Sequence, residues 1–374
     1  MPKIETKNHL NILIKTTESC PLKCIYCYEG DKSSRVMGED TLNILIEKFE
    51  NRSKGDISTD YTWHGSEPLM AGLNFFKKVR KIQKKFEEKG NVILNGVQTS
   101  GVLLHEKFAD FFSEEDFSVG FSLDGPEKYH NLQRPFKNGS PSFNDVMKGI
   151  KLMKERDQNI GAITVLTQLN LPHLKEIYRF FQEENIPFKL NPVMNCGYAS
   201  EKYDAIRLKP GDYAKAIIEL FEEEFTKDAK IFNVADSLIS SIFGKRKGTC
   251  SNIVSCQDNF IGVDVEGYIL PCSRFTKEQL NYGNLHTDNI GKILEHPLRR
   301  GLQERYQNIE ECTKNCNVNG LCYSGCMHNA YLNGDIKGID PICLDTCMIY
   351  HYVQNRVLDQ LQKDQAINGG NTNE

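Results

Sequence analysis

Three cysteines near the start of the chain carry the first chemical signal. They form Cys20-Pro-Leu-Lys-Cys24-Ile-Tyr-Cys27, a Cys-x3-Cys-x2-Cys run. Three thiolates can bind three irons of a [4Fe–4S] cube and leave the fourth iron without a protein ligand. An open iron can take a small chelating molecule, which a cluster held by four Cys cannot do. The same run also reads as a zinc site short of its fourth ligand, or as packed core thiols. Ten more cysteines follow. Cys196 stands alone, and nine lie in the last third: Cys250, Cys256, Cys272, Cys312, Cys316, Cys322, Cys326, Cys343 and Cys347. The total of 13 in 374 residues is odd and far below the ~8–10% of small disulfide scaffolds, which argues against an extracellular disulfide framework. Clustered thiols in a reducing cytosol hold metal or do redox work.

The elements that must position these thiols alternate. Strand-like runs at residues 10–14, 60–64, 92–98, 118–123, 161–166 and 188–193 are separated by amphipathic stretches at 40–49, 73–87, 105–112, 143–154 and 174–183. A further helical stretch, 213–225, follows the sixth strand. Six strand–helix units imply a parallel sheet with right-handed crossovers. The expected fold is α/β: a partial (β/α)6 barrel over residues 1–230, with chemistry in the loops at the strand C-termini. An open doubly wound sheet is the alternative from pattern alone. Cys20 comes directly after the first strand. Beyond residue 230 short segments, turn signals and frequent Cys replace the alternation, so residues 231–363 read as an irregular Cys-rich domain whose fold depends on bound metal. Residues 364–374, polar and rich in Gly and Asn, read as a disordered tail.

Composition removes several classes of function. The 46 Lys+Arg against 50 Asp+Glu, a net charge of −4, carry no long run of one sign and do not indicate nucleic-acid binding. No apolar stretch approaches the ~18–20 residues of a membrane span. The first twenty residues hold no signal-peptide core, which predicts a cytoplasmic protein.

The N-terminal run, with Tyr26 before its third Cys, resembles the signature of the radical S-adenosylmethionine (SAM) superfamily. That resemblance implies that the amino and carboxylate groups of SAM chelate the open iron. One-electron reduction then yields a 5′-deoxyadenosyl radical, which abstracts a hydrogen from the substrate. Trp63-His-Gly-Ser-Glu-Pro68 ends the second strand and resembles the family's Gly-Gly-Glu-Pro motif, with Ser66 in place of the second Gly. The resemblance implies that Gly65, Ser66 and Glu67 hold the methionine amino group through backbone oxygen and the Glu carboxylate. Ser122-Leu-Asp-Gly-Pro126 closes the fourth strand, and His130-x3-Arg134 follows. By the same resemblance Ser122 contacts the ribose, Arg134 the SAM carboxylate, and Gly197 the adenine through its backbone, with Tyr26 and Asp124 in the same cofactor site. Outside the family, a strand-ending turn and a surface Arg would be the simpler readings of these segments.

The C-terminal cysteines resemble the SPASM domain, which extends radical SAM maturases of peptides and proteins and holds two auxiliary [4Fe–4S] clusters. The family's interleaved pattern implies Cys250, Cys256, Cys272 and Cys326 for the first, and Cys312, Cys316, Cys322 and Cys343 for the second, with Cys347 as the alternative to Cys343. Three clusters and SAM are then the cofactors, and Cys196 is left outside. The chain departs from the family at Cys312-x3-Cys316, where Cys-x2-Cys is usual. Paired Cys also build zinc sites.

The architecture closely resembles that of the anaerobic sulfatase maturases, which oxidise a Cys or Ser to formylglycine. Those enzymes carry an Asp, the proton acceptor, directly after the third ligand of the first auxiliary cluster. Here that residue is Ser273, and a hydroxyl is not a base near neutral pH. His64, the candidate catalytic residue, replaces a Gln common before the Gly-Ser-Glu-Pro turn. The expected function is therefore an oxidoreductase that matures a ribosomally made peptide, abstracting a hydrogen to install a thioether or carbon–carbon crosslink. The alternatives are formylglycine formation on a sulfatase, and a non-catalytic zinc or iron–sulfur scaffold. Expected partners are the precursor peptide or protein and a low-potential electron donor such as a flavodoxin or ferredoxin. Only 19 residues precede Cys20, fewer than the ~80 expected of a separate peptide-binding domain. The leader would then be held by the barrel and SPASM surfaces or by a separate leader-binding protein.

Overall fold

The computed structural model describes residues 9–369 apart from 31–32, 54–56, 226, 228–230, 245–249, 252, 315 and 319. Six parallel strands, β1 (His9–Lys15), β2 (Ser58–His64), β3 (Val92–Thr99), β4 (Phe117–Ser122), β5 (Ile160–Leu166) and β6 (Phe188–Pro192), lie side by side in chain order. Between and after them run α1 (Glu39–Glu50), α2 (Leu73–Glu87), α3 (Glu106–Glu114), α4 (Glu127–Gln133), α5 (Phe143–Lys154), α6 (Leu174–Glu183), α7 (Ala199–Ile206), α8 (Asp212–Glu224) and α9 (Asn233–Ile242). Every other strand residue is buried beneath the helices: Ile12 and Ile14 of β1, Tyr61 and Trp63 of β2, Val119 and Phe121 of β4. The opposite face of each strand is more polar and only half-buried, and it carries Asn11, His64, Gln98, Ser122 and Lys189 into the barrel interior. Period-2 patterning thus separates a packed outer layer from an interior that can hold a polar ligand.

The sheet does not stop at the sixth strand. A hairpin, β7 (Phe260–Val263) and β8 (Tyr268–Leu270), followed by β9 (Gly283–Asn284), joins its other edge, giving the order β6-β5-β4-β3-β2-β1-β7-β8-β9. β7 pairs parallel to β1 from Asn11↔Phe260 to Ile14↔Val263. The chain also stays on the barrel past residue 230: Phe188 donates to Ile231 O at 2.8 Å, and Phe232 bridges to Phe188. The composition break therefore marks a change in the cysteine content rather than in the sheet. Short helices α10 (Ile290–Leu294), α11 (Pro297–Gln303), α12 (Glu310–Lys314) and α13 (Met327–Leu332) follow, and α14 (Cys343–Gly369) closes the chain against α8 and α9.

The tail expected to be disordered from residue 364 is helical as far as Gly369. Ile349, Tyr350, Val353 and Val357 anchor α14, and Leu361, Lys363, Gln365 and Ala366 are good helix formers that propagate it. Residues 370–374 lie outside the described residues. Among the described residues no helix is long and apolar enough to cross a membrane.

Gly262 of β7 sits where the chain after β8 crosses the strand. A Cβ there would fall 2.6 Å from the carbonyl carbon of Cys272. Gly262→Ala should therefore cost about 1–3 kcal/mol in urea unfolding through overpacking. It should also lower the iron content by about four per chain in a reconstituted sample.

Candidate active site

Because β1 to β6 are parallel, the segments that follow them share one edge of the sheet. The cysteine loop leaves β1 at Lys15 and is fastened to the segment after α4: Lys23 N–H donates to Pro135 O at 2.9 Å, and Ile25 N–H to Gln133 O at 3.0 Å. Cys20 and Cys24 are buried and Cys27 half-buried. Tyr26, Asp124 and Arg134 form one chain of hydrogen bonds. Arg134 Nη1 donates to the Tyr26 hydroxyl at 2.6 Å, and that hydroxyl donates to Asp124 Oδ2 at 2.6 Å. Asp124 Oδ1 accepts the Val165 N–H at 3.0 Å. Burial holds the Tyr26 hydroxyl well above its usual range. Burial opposes the Arg134 charge, but Cys24, Tyr26 and Asp124 outweigh it and push the guanidinium up. Arg134 Nε is buried without a hydrogen-bond partner among the described residues. An orphaned guanidinium N–H on a side chain that interacts with Cys24 is a ready donor for a carboxylate.

The turn after β2 is held by its backbone conformation and by the Glu67 side chain. Gly65 and Ser66 both have positive φ, 81° and 45°. A Cβ on Gly65 would lie 2.7 Å from Lys15 Cγ. The Glu67 carboxylate, expected to hold an amino group, is fully buried. It accepts from Leu69 N at 3.1 Å, Thr99 Oγ1 at 2.5 Å, Ser100 N at 2.8 Å and the Ser100 hydroxyl. Glu67 thus ties the end of β2 to the end of β3. Ser122 Oγ accepts from Gln98 Nε2 at 3.4 Å. Gly197 packs on the cysteine loop so tightly that a Cβ would fall 2.4 Å from Tyr28 O.

His64 projects from β2 beside the loop. Its Nδ1 accepts from the Gly65 N–H and stands 3.3 Å from the Tyr28 hydroxyl. Burial lowers its pKa to about 4, so the ring is neutral near pH 7. With Nδ1 accepting, the proton sits on Nε2, and His64 presents a hydrogen-bond donor rather than a base. Lys15 and Glu29 form an ion pair at 3.1 Å next to it, with both side chains largely buried. Sequence reasoning missed this pair and Tyr28, although Tyr28 and Glu29 directly follow Cys27.

The C-terminal thiols gather in two groups. Burial is the main cause of every upward thiol shift, and the next causes name the neighbours. Cys272 is pushed to about 12 by burial, then by Cys326 and Cys250, while Cys256 is raised by burial and then by Cys250, Cys272 and Cys326. Cys322 is pushed to about 12 by burial, then by Cys343, Cys312 and Cys316. Cys347 stands one helical turn beyond Cys343 and reaches about 12 by burial, with Cys343 and Cys316 adding to it. The second group thus holds five thiols. Cys196 belongs to neither and is raised to about 11, chiefly by burial. Ser273 is buried beside Cys272, and Arg274, which the sequence reading passed over, reaches back to Met194 and Cys326. Thiols that burial disfavours as free thiolates suit soft metal centres. Among the described residues no three such side chains converge on a single-ion site. A four-iron cube spaces its thiolates more widely than one ion does. Three thiols in one loop, an orphaned guanidinium beside them and two larger thiol groups fit SAM and iron–sulfur clusters.

Residues 14–181 match the radical SAM superfamily, and residues 250–317 the SPASM iron–sulfur cluster-binding domain. The chain is 30% identical over 333 residues to the cysteine-type anaerobic sulfatase-maturating enzyme of Clostridium perfringens (strain 13 / Type A), covering 85% of this chain and 88% of that one. It is 27% identical over 375 residues to a serine-type anaerobic sulfatase-maturating enzyme of Bacteroides thetaiotaomicron, covering 92% and 89%. The structure of native anSMEcpe with bound AdoMet and Cp18Cys peptide superposes with a TM-score of 0.82 at 26% identity, over 95% of this chain and 99% of that one. Streptococcus suis SuiB bound to precursor peptide SuiA shares the fold, with a TM-score of 0.65 at 16% identity over 90% and 76%. The chain belongs to the radical SAM superfamily and, within it, to the SPASM-bearing family of the anaerobic sulfatase-maturating enzymes.

Two outcomes test the site's construction. Tyr26→Phe strands Asp124 and Arg134 in a buried network, and should lower stability by about 1–3 kcal/mol in thermal unfolding while weakening SAM binding by calorimetry. Ser66→Gly relieves a left-handed non-glycine residue, which costs roughly 1–2 kcal/mol, against a Gly entropy penalty of about 0.5–1. It should leave stability equal or raise it by up to ~1 kcal/mol in the same melt.

Proposed function

We propose that the chain is a radical maturase acting on a side chain of a peptide or protein. Cys20, Cys24 and Cys27 would hold a cluster with an open iron for SAM, which together would supply the radical chemistry for removing a hydrogen atom from the substrate. Arg134, fixed by Tyr26 and Asp124, offers its free Nε to the SAM carboxylate. Ser122 and Gly197 line the same edge for ribose and adenine. His64 offers Nε2–H to the substrate, and the Lys15–Glu29 pair sets the charge beside it. The two C-terminal thiol groups would hold two further clusters that supply an electron path, and a flavodoxin- or ferredoxin-like donor would supply the reducing electron.

The observation that carries this reading is the union, on one sheet, of the three-thiol loop, the Arg134 Nε without a partner among the described residues, and the four-thiol group whose Cys272 lies over β7. Formylglycine formation from a Cys or Ser of a sulfatase is the better supported outcome. Sulfatase-maturating relatives align over most of the chain, whereas the peptide-binding SuiB shares only the fold. Peptide crosslinking, the expectation from sequence, becomes the second reading. Two features keep it: Ser273 stands where, by the resemblance, those maturases carry their proton acceptor, and the His64 lone pair faces Gly65 and Tyr28.

Anaerobic reconstitution should give about twelve irons per chain. Incubation with SAM and dithionite should release 5′-deoxyadenosine, and a non-catalytic scaffold would release none. Mass spectrometry of a sulfatase peptide bearing Cys or Ser should show an aldehyde. If 5′-deoxyadenosine forms with no aldehyde, while a Cys-rich peptide loses two hydrogens, the crosslinking reading replaces it. General-base catalysis contributes typically about 10²–10⁴-fold, so Ser273→Asp should raise aldehyde yield at least about tenfold under the sulfatase reading.

A further inference from the structure

Arg274 has no part in the scheme above. It follows Cys272 and Ser273 in the chain beyond β8 and is only half-buried at its surface. Its Nη1 lies 3.0 Å from the Met194 sulfur and 3.9 Å from the Cys326 sulfur. Among the described residues its side-chain hydrogen-bond partners are these two sulfurs, with no carboxylate among them. Burial opposes its charge, and Cys326, Cys272, Cys250 and Tyr28 act the other way. The cation therefore touches the Cys326 sulfur and acts electrostatically on Cys272, Cys250 and Tyr28. Lys189, from the interior of β6, lies near both Cys250 and Arg274. Reduction makes a cluster more negative by one charge. A fixed cation and a charge-assisted N–H···S contact both favour that form, and more strongly where water is scarce.

We propose that Arg274 sets the reduction potential of the cluster held by Cys250, Cys256, Cys272 and Cys326, raising it above the value the four thiolates alone would give. The inference rests on reading those four residues as cluster ligands. The step concerned is a one-electron couple in which no protein bond is made or broken. The oxidised cluster gains one electron, from the substrate radical in turnover and from dithionite in the test. Arg274 acts through the cluster and is a positioning residue. Its readout is a potential, not an activity.

The test uses the full chain carrying Cys20→Ala, Cys24→Ala and Cys27→Ala, so that only the two C-terminal clusters titrate, with about eight irons bound. A dithionite titration is followed by electron paramagnetic resonance. Arg274→Gln should lower the ratio of reduced to oxidised cluster about tenfold at a fixed potential for one cluster, about 59 mV for a one-electron couple, and leave the other unchanged. Arg274→Lys keeps the charge but loses the planar fork, and should move the same cluster about threefold. A shift below about twofold in the Gln variant with its irons retained overturns the proposal. If the Gln variant loses four irons, the Lys variant decides, and an unmoved potential there overturns it. Iron loss in both variants makes Arg274 a structural residue and also overturns it. Fewer than about eight irons in the parent refutes the ligand reading itself, and is seen before residue 274 is touched.

Discussion

The parallel pairing of β7 with β1 is the contact on which the rest of the molecule depends. β1 carries the three-thiol loop at its C-terminal end and already has β2 on one side. Its other edge would be an open row of N–H and C=O groups. β7 closes it in register from Asn11↔Phe260 to Ile14↔Val263, and β8 then returns antiparallel. The chain leaving β8 crosses β7 at Gly262, where no Cβ fits, and carries Cys272, Ser273 and Arg274 toward Met194. One strand therefore sets the distance between the N-terminal thiols and the first C-terminal group. An aqueous edge would leave that distance free to vary.

Beyond the sheet, regular structure is sparse, and buried polar residues take over its role. Asp340 spans the two thiol groups. Its carboxylate accepts from the Cys326 N–H at 2.8 Å, and its carbonyl from the Cys343 N–H at 2.9 Å. Arg305, buried nearby, donates to Ser324 O, Gly325 O and Ile336 O, each at 3.1 Å. Asp345, between Cys343 and Cys347, accepts from Gly211 N and Ala214 N at the start of α8. A negative side chain at a helix N-terminus satisfies free N–H groups and favours the dipole, so this contact locks α14 onto the barrel. These loops pass through several positive-φ residues, among them Tyr323 and Ser324, which only such over-determined packing sustains.

The barrel was legible in the sequence because periodicity reports burial directly. Helices predicted at 73–87, 143–154 and 174–183 match α2, α5 and α6 end to end. The C-terminal half was not legible in this way. β7 and β8 are four and three residues long, too short for a period, and β1, the parallel partner of β7, is some 250 positions away. Cysteine spacing marked candidate ligands, but spacing carries no sign of charge. Lys15–Glu29, Arg274 and Asp340 each depend on long-range packing, and no local motif announces them. The Gly-Ser-Glu-Pro turn shows the converse. Its residues were found by motif, yet the Glu67 carboxylate faces β3, because Thr99 and Ser100 offer three donors where β3 ends.

Electrostatics then separates this chamber from one built around a carboxylate. A buried Asp beside a thiolate-held cluster adds negative charge to negative charge, and such a group is held near ionisation only at a cost in solvation. Ser273 removes that charge, and Arg274, one residue on, brings a cation to the same place. Lys189 adds a second amine on the barrel side, and burial there lowers its pKa. Lys15, by contrast, is matched by Glu29, which leaves the loop side of the chamber near neutrality. The field across the site therefore runs from a carboxylate-matched cation beside the N-terminal thiols to a cation with no carboxylate partner among the described residues beside the C-terminal ones. Under the proposed function, an electron leaving a substrate held between them would be drawn toward that positive side. One turn pressed against Gly262 thus places beside the first C-terminal thiol group both a hydroxyl that is no proton acceptor and a cation that favours an added electron.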